Sequence, residues 1–275
     1  MKMSIKVLCQ KVGMSRQNYY KAHKRRRRKA VDEGLIENLV RTERAVQPRL
    51  GGRKLFSLLK DEIKAAGVSI GRDRFFEVLR ENNLLLKPLP KQPRTTNSRH
   101  SLPIFINSIK ELKIINPNQV WVSDITYIRT DDGFVYLSLI TDKYSRKIVG
   151  YHAGDTLETE GCLRALEKAL EHKPDNVYPI HHSDRGCQYC SHMYVGKLKE
   201  NGFKISMTEE NHCSENAMAE RVNGILKQEY WLGTTFRNKG QAYRAVDEAI
   251  YLYNNRRPHL SLNYKTPEQV HVQAA

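Results

Sequence analysis

Apolar side chains in the first third of the chain recur every three to four residues, which is the spacing of a helix face. Between residues 31 and 86 they form three such stripes, separated by glycine-containing breaks. Residues 4–22 repeat the pattern on a smaller scale, with a break at Gly13 and Ser15 placed to cap a second short helix that ends near Tyr20. A helix, a tight turn and a helix predict a small helix-turn-helix, so the whole region is predicted to be helical.

The pattern changes beyond residue 117, where short apolar runs are bounded by turn residues. The turn Asp131–Gly133 predicts a hairpin between the first two of these runs. Strands are predicted at 120–130, 134–141, 147–153, 177–183 and 203–207, and helices at 158–172, 191–201, 216–231 and 241–254. Three antiparallel strands followed by alternating helices and strands predict a mixed α/β sheet.

A proline-containing stretch with few apolar residues separates the helical region from the sheet, and it predicts a linker. The chain is thereby divided into five parts. These are a helix-turn-helix-like segment with a basic arm (1–29), a helical domain (30–90), a linker (91–116), an α/β core (117–235) and a C-terminal helix and tail packed on that core (236–275).

The positive charge of the chain is concentrated at one end. Residues 1–100 contain 25 Lys and Arg against 9 Asp and Glu, whereas the rest of the chain holds 21 of each, so the net charge of +16 lies in the first third. A module that binds a polyanion concentrates charge in this way, which favours DNA, with RNA or acidic surfaces as alternatives. The candidate contacts are Arg25, Arg26, Arg27 and Arg28, which could instead form a solvated linker, and Arg53, Lys54, Arg72 and Arg74.

Composition also limits the cellular setting. No apolar run approaches the roughly 20 residues that cross a bilayer, and no secretory stretch follows the first residues. We expect a cytoplasmic, nucleoid-associated protein without membrane contact. Five scattered cysteines argue against a disulfide framework. Cys187 and Cys190 have the spacing of half a zinc site, but no second pair at that spacing follows, so zinc is the weaker interpretation of this motif.

Three acidic residues stand out by their positions in the predicted elements. Asp124 interrupts an apolar strand, Asp184 ends another strand, and Glu220 lies in a helix. Each alone is more typical of a capped or solvent-facing acid, because a buried carboxylate is costly without a partner. Together, on neighbouring elements of one sheet, they suit a hard cation such as Mg²⁺, which prefers oxygen ligands. Lys227 follows Glu220 by two helical turns and shares its face, where it could bind phosphate.

Four ordered motifs resemble one family. Trp121–Thr126, His182–Tyr189 and Asn216–Arg221 resemble the three acidic motifs of insertion-sequence DDE transposases of the orfB type, whose catalytic core is similar to that of retroviral integrases. The fourth motif, at the C-terminus, consists of Tyr253–His259 followed by Leu262–Glu268, and it resembles the ending of the same family. The resemblance covers nearly the whole chain. It departs at Leu50–Gly52 and at 214–215, neither of which involves the acids.

The resemblance implies an RNase H-like mixed-sheet core, preceded by an all-helical, helix-turn-helix-like region. It implies that Asp124, Asp184 and Glu220 are catalytic and hold two divalent ions, Mg²⁺ or Mn²⁺. Water and then a freed 3′-hydroxyl would attack phosphodiesters without a covalent enzyme intermediate. Lys227 would contact DNA near the cleaved phosphate, and the residues expected to support the site or contact DNA are Asn216, Arg257 and His259.

The same resemblance implies the partners. These are the terminal inverted repeats of the element, the target DNA and further copies of the chain. The family often encodes part of its end-recognising helix-turn-helix in an upstream reading frame, so a partner protein from that frame is also expected. Two alternatives remain open on the residues alone: a structure-selective nuclease with the same three acids, and a catalytically silent DNA-binding regulator.

Overall fold

The computed structural model describes residues 3–87, 102–209 and 213–274. These residues form two compact units. The first comprises the described residues up to Val46 together with residues 50–87, and the second comprises residues 47–49 and the described residues from 102 onward. Much of the predicted linker, residues 91–101, lies outside the described residues. None of the described helices is long and apolar enough to cross a membrane.

The first unit is helical, as the apolar stripes predict. Its helices are α1 (Ile5–Lys11), α2 (Arg16–Val46), α3 (Gly52–Ala65) and α4 (Arg72–Glu81). The apolar faces of α2, α3 and α4 meet in one core, whose fully buried members include Ile36, Val40, Leu55, Phe75 and Leu79. Burial of these faces stabilises helices that would be marginal in isolation.

The helix predicted to end near Tyr20 runs instead from Arg16 to Val46, a length of 31 residues, so that prediction was wrong. Lysine and arginine are good helix formers, and the segment contains no proline to stop the helix. Arg25–Arg28 therefore lie within a helix and not in a linker, and the predicted boundary at residue 29 falls inside α2. Ion pairs one turn apart support it: Arg28–Asp32, Lys29–Glu33 and Arg41–Glu37.

The second unit is built on the predicted mixed sheet. Its strands are β1 (Val120–Thr130), β2 (Gly133–Asp142), β3 (Ile148–Gly154), β4 (Ile180–Ser183), β5 (Lys204–Met207) and β6 (Thr235–Phe236). The order is β3-β2-β1-β4-β5, with β6 paired to β1. The first three strands are antiparallel, and β4, β5 and β6 run parallel to their neighbours. The two-residue β6 was not predicted, since it is too short to show alternation.

Helices cover both faces of this sheet. They are α5 (Thr159–Leu170), α6 (Cys187–Cys190), α7 (His192–Glu200), α8 (Ala217–Glu229), α9 (Lys239–Asn255) and α10 (Pro267–Gln273), with short 3₁₀ turns at Cys213–Asn216 and Leu260–Leu262. Helices α5, α6 and α7 pack on the face that presents Trp121 and Ile140. Helices α8 and α9 pack on the face that presents Ile128 and Leu137. The elements that carry the three acids are thus held between two apolar cores.

One edge of β1 is only partly paired. Strand β4 pairs with β1 from Val120 to Ser123, and β6 pairs with it at Arg129 and Thr130. Between them, no described strand pairs with this edge. Because β4 is parallel to β1 and ends opposite Ser123, the residue that follows β4 emerges beside the start of this gap.

Candidate active site

Asp124 lies in β1 at the start of the unpaired edge. Its Oδ1 accepts a hydrogen bond from the backbone N–H of Ile125 (3.0 Å), and its Oδ2 accepts one from Nδ2 of Asn223 (2.8 Å). Burial first, and the charge of Asp184 next, raise the pKa of Asp124 to about 7, with a smaller contribution from Glu220. A carboxylate with a raised pKa keeps its proton to a higher pH than a free carboxylate does, and positive charge beside it would favour release of that proton.

Asp184 follows the last residue of β4. Its Oδ1 accepts a hydrogen bond from the backbone N–H of Gly186 at 3.0 Å. A Cβ at Gly186 would lie 3.0 Å from that same oxygen, so glycine suits this tight approach. Burial raises the pKa of Asp184, and the charge of Glu220 raises it further. The carboxylate is therefore oriented by the backbone and repelled by its acidic neighbours.

Glu220 lies in the first turn of α8, which packs against β1. Its charge acts on both aspartates, so all three predicted acids lie within electrostatic reach of one another. Asn223, one turn further along the same helix, is buried and donates the hydrogen bond to Asp124. Sequence reasoning missed Asn223, although its position three residues after Glu220 on one helix face was a usable signal.

Two further residues of this region were predicted. Lys227 lies on α8, two turns beyond Glu220; burial lowers its pKa, while the charge of Asp124 opposes that effect. Lys227 is thus a half-buried cation within electrostatic reach of the acids. Asn216 caps α8, is buried and donates from Nδ2 to the backbone carbonyl of Ser123 (3.0 Å). It ties the start of α8 to the residue before Asp124.

The C-terminal pair of predicted residues lies away from the carboxylates. Arg257 is buried and makes a two-pronged ion pair with Glu229 at the end of α8, with Nε and Nη2 donating at 2.9 and 2.8 Å. His259 is also buried, and its ring meets the ring of Tyr253 edge-on at 5.0 Å. Both residues anchor the tail and α8, which is a supporting arrangement. Their burial leaves no surface for DNA contact.

The acids do not form a preassembled ligand set. Within the described ranges, no three His, Cys, Asp or Glu side chains converge closely enough to hold one metal ion. Their chemistry still fits a hard divalent cation, because the donors are carboxylate oxygens. Mutual repulsion contributes to the raised pKa values of Asp124 and Asp184, and a cation would relieve it.

The cysteine pair does not share one pocket. Cys187 is exposed, whereas Cys190 is fully buried and its Sγ lies 3.6 Å from Sδ of Met207 in the core. One thiol faces solvent and the other faces the core, so the two do not converge on a common metal position. Cys162, another described cysteine, is buried against Ser138, and burial raises the pKa of its thiol to about 12.

A buried polar layer lies behind the two aspartates. Nε2 of His181 lies 2.7 Å from Oγ of Ser123 and 2.9 Å from the hydroxyl of Tyr194. Nδ1 of His182 lies 2.9 Å from Oγ of Ser206. Burial lowers the pKa of His181 to about 3 and that of His182 to about 4, so both rings are neutral. The histidines brace the strands that carry the acids.

The basic residues of the first unit fall into two groups. Arg25, Arg26 and Arg27 are exposed on α2 without an ion-pair partner among the described residues, and Arg53 is exposed on α3. A groove of about 500 Å³ runs between α2 and the loop Val68–Ile70. Its basic lining consists of Lys21, Lys24, Arg25, Arg28, Lys29 and Arg74.

The other predicted contacts are already engaged or half-buried. Arg74 pairs with Glu33, with Glu77 (2.7 Å) and with Glu81 (3.3 Å), so it holds α4 against α2. Arg72 pairs with Asp73 at 2.9 Å, and Lys54 is half-buried in α3. Free positive charge is therefore concentrated on α2, and Arg74 is a weak candidate for DNA contact.

The fold and the acids together define a class. A mixed sheet with three antiparallel strands, helices on both faces and acids on β1, after β4 and on α8 is an RNase H-like core of the polynucleotidyl transferase type. Two models of the integrase core domain match the chain, over residues 116–213 and 201–267.

Whole-chain comparisons identify the family. An uncharacterized 31 kDa protein of insertion element IS600 from Shigella sonnei is 35% identical over 98% of this chain and 100% of its own length. Transposase InsF for insertion sequence IS3A from Escherichia coli strain K12 is 31% identical over 97% of this chain and 93% of its own length. The chain belongs to the family of insertion-sequence transposases with an integrase core domain.

A solved structure shares the fold. A chain of the cryo-EM structure of the simian T-cell lymphotropic virus intasome, in complex with PP2A regulatory subunit B56 gamma, matches with a TM-score of 0.50 and 17% identity, over 80% of this chain and 74% of that chain. At this identity the likeness concerns the fold alone.

Proposed function

We propose that this transposase cleaves DNA at the ends of an insertion sequence and joins those ends to target DNA, in a reaction that depends on divalent metal ions. The observation that carries the proposal is that Asp124, Asp184 and Glu220, from β1, from the end of β4 and from α8, lie within electrostatic reach of one another. Two Mg²⁺ or Mn²⁺ ions held by these carboxylates would stabilise negative charge on the attacking and leaving oxygens.

The protein's own part in this chemistry is positioning. Asn223 and the N–H of Ile125 fix the two oxygens of Asp124, and the N–H of Gly186 fixes Asp184. Lys227 supplies positive charge for a DNA phosphate beside them. These hydrogen bonds restrict the orientations of the two aspartates, which lowers the reorganisation needed when metal ions and substrate bind.

The reaction proceeds by direct attack on phosphorus. In cleavage, a water oxygen bonds to phosphorus as the bond to the 3′-oxygen breaks, and a free 3′-hydroxyl results. In joining, that 3′-oxygen bonds to phosphorus of the target, whose own 3′-oxygen leaves and takes up a proton. No enzyme nucleophile is required, which agrees with a site made of carboxylates.

The partners follow from the same proposal. DNA is bound as the terminal inverted repeats of the element and as the target, with the exposed arginines of α2 contributing contacts to phosphates. Joining two ends in one event calls for a multimer of the chain on DNA. An upstream-frame partner protein would supply additional recognition of the ends.

The substitution Glu220→Gln tests the assignment. It removes one charge while keeping the size of the side chain, so we expect strand cleavage to be lost and DNA affinity to remain nearly unchanged. Cleavage of labelled DNA ends with Mg²⁺ and a gel-shift titration measure the two properties. The control is Glu200→Gln, at an exposed position of α7. Loss of DNA binding together with cleavage would indicate a structural role for Glu220 and contradict the proposal.

A further inference from the structure

A short turn joins α1 to α2 and is held by hydrogen bonds on both sides. At the end of α1, the N–H of Met14 donates to the carbonyl oxygen of Cys9 (3.0 Å), and Gly13 has a left-handed backbone with a φ of +64°. At the start of α2, the side chain of Ser15 accepts a hydrogen bond from the N–H of Asn18 (3.1 Å). Two helices joined by a short glycine-containing turn form a helix-turn-helix unit.

The first turns of α2 expose one face to solvent. Helix α1 contacts α2, and between residues 16 and 29 only Tyr19 and Ala22 are partly shielded from solvent. These two residues therefore mark the side of α2 that α1 covers. Because an α-helix has 3.6 residues per turn, the side chains at positions i, i+1, i+4, i+5 and i+8 from Arg16 fall on the opposite side. This exposed side, here called the outer face of α2, consists of Arg16, Gln17, Tyr20, Lys21 and Lys24.

Charge complementarity favours a polyanion as the occupant of the outer face. Residues 1–31 contain 11 Lys and Arg and no Asp or Glu. Arg16, Lys21 and Lys24 are exposed and have no ion-pair partner among the described residues. Gln17 and Tyr20 add a neutral amide and a phenol hydroxyl, which can hydrogen-bond to bases but do not neutralise phosphates. The outer face thus combines charge for a DNA backbone with donors and acceptors for base edges.

The length of the outer face suits a helix whose N-terminal end enters the major groove. The major groove of B-DNA is about 12 Å wide and about 8.5 Å deep, and it admits an α-helix. At about 1.5 Å per residue, that depth corresponds to about six residues, so Arg16 to Lys21 would lie within it. Lys24 and Arg28 lie further along α2 and line the basic groove between α2 and the loop Val68–Ile70. They would be level with the phosphates that border the major groove.

We infer that this helix-turn-helix unit reads the base sequence at the ends of the element. Arg16 contacts guanine and Gln17 contacts adenine, the bases whose exposed edges match a guanidinium and an amide. Lys21 and Lys24 contact the neighbouring phosphates. In helix-turn-helix proteins, the N-terminal residues of the second helix are those that contact base edges. This inference rests on the proposed function, which supplies the DNA ends as substrate, and it places sequence recognition in this chain itself.

The test measures binding of the full-length protein to labelled duplexes by fluorescence anisotropy at one salt concentration. One duplex carries the element's end, a series replaces its base pairs one at a time, and one has the same composition in scrambled order. Wild-type affinity should fall by roughly tenfold at a few single positions, and further for the scrambled duplex. Gln17→Ala should become indifferent to substitution at one A·T position, with its response at the other positions and its affinity for scrambled DNA unchanged.

The Gln17→Ala variant is suited to this test because it removes an amide without changing charge, and alanine is a good helix former. The matched control is Gln10→Ala, which removes the same group from an exposed position of α1 and should keep the wild-type binding profile. Circular dichroism of both variants shows whether the helix content is that of wild type.

The outcomes separate this inference from the proposed function. Gln17→Ala protein that keeps the wild-type profile would overturn the inference alone, as would wild-type protein that cleaves and joins the ends but binds the scrambled duplex equally well. A preference for the end that arises only when an upstream-frame partner protein is added would also overturn it. Wild-type protein that prefers the end, but neither cleaves nor joins it with Mg²⁺ or Mn²⁺, would support sequence reading and contradict the proposed function.

Discussion

At the scale of single residues, two aspartates of the same sheet, the fully buried Asp142 and the half-buried Asp124, differ in their partners. Asp142 at the end of β2 accepts hydrogen bonds from the N–H of Asn118 (2.7 Å) and from both the N–H and the Oγ–H of Ser145 (2.6 and 2.7 Å). Asp124 accepts two, and it faces two further carboxylates. Asp142 is a satisfied structural acid, whereas Asp124 is an acid whose charge is unfavourable until a cation binds.

This difference predicts the pH dependence of stability in the absence of divalent cations. Folded Asp124, with a pKa raised from 3.8 to about 7, keeps a proton that the unfolded chain releases. The free energy of unfolding should therefore fall as pH rises from about 4 to 7. Asp124→Asn removes this dependence and should be more stable than wild type at pH 8 by about 1–3 kcal/mol. Urea unfolding of wild type and Asp124→Asn in EDTA, at pH 5 and at pH 8, measures the free energy of unfolding at each pH.

The control for that experiment is Asp175→Asn, at an exposed position before β4. It should keep the pH dependence of wild type. Equal dependence in wild type and Asp124→Asn would show that Asp124 is not destabilised by its neighbours.

At the scale of elements, the strands and helices of the second unit were predicted more accurately than the long helix of the first unit. The bounds of β1 match the prediction, because its apolar run and turn residues are local signals. The length of α2 was missed, since exposed arginines are equally typical of a linker until the ion pairs along the helix are known. Asn223 was missed because its role depends on which face of α8 meets β1, and that is decided by tertiary packing.

Close packing of α5 on the sheet provides an element-scale prediction. A Cβ at Gly150 in β3 would lie 2.2 Å from the carbonyl oxygen of Ala165 and 2.7 Å from Cβ of Ala169. Gly150→Ala should therefore displace α5 and cost about 1–3 kcal/mol of unfolding free energy. Gly196→Ala in α7, where a Cβ meets nothing within 4 Å, should be neutral or stabilise by about 0.5–1 kcal/mol. Thermal unfolding compares the stability of the two variants. A Gly150→Ala variant as stable as wild type would contradict this close packing of α5 on the sheet.

At the scale of the whole molecule, the excess positive charge and the three proposed catalytic acids lie in separate parts of the chain. The basic excess lies in the first 100 residues, whereas the acids lie in the neutral remainder. This division was predictable from residue counts alone. The three acids stood out by their positions in the predicted elements, but their catalytic role depended on the family resemblance, because position by itself does not distinguish a catalytic Asp124 from a structural Asp142. Neither the residue counts nor the family resemblance predicted that the described residues lack a preformed set of metal ligands.

Because the basic residues and the acids lie in separate parts of the chain, removing basic residues should change how DNA affinity depends on salt. Replacing Arg25, Arg26 and Arg27 by Gln removes exposed charges from α2 and should weaken DNA binding while leaving the acids intact. The slope of log affinity against log salt should fall in magnitude by about 0.9 for each DNA phosphate that the variant no longer neutralises. Arg41→Gln, which removes a charge that Glu37 already neutralises on the same helix, should leave the slope unchanged. An unchanged slope in the triple variant would mean that this part of α2 does not bind DNA.

The most direct test of the central claim is strand joining. Labelled DNA carrying the element's own ends is incubated with Mg²⁺ or Mn²⁺ and either wild-type protein or Asp184→Asn, with Asp175→Asn as a matched control. We predict cleaved and joined products with wild type and with the control, and neither product with Asp184→Asn although DNA is still bound. Metal-dependent cutting without joining would indicate a nuclease. Joined product formed equally by Asp184→Asn would contradict the assignment of these carboxylates as the catalytic site.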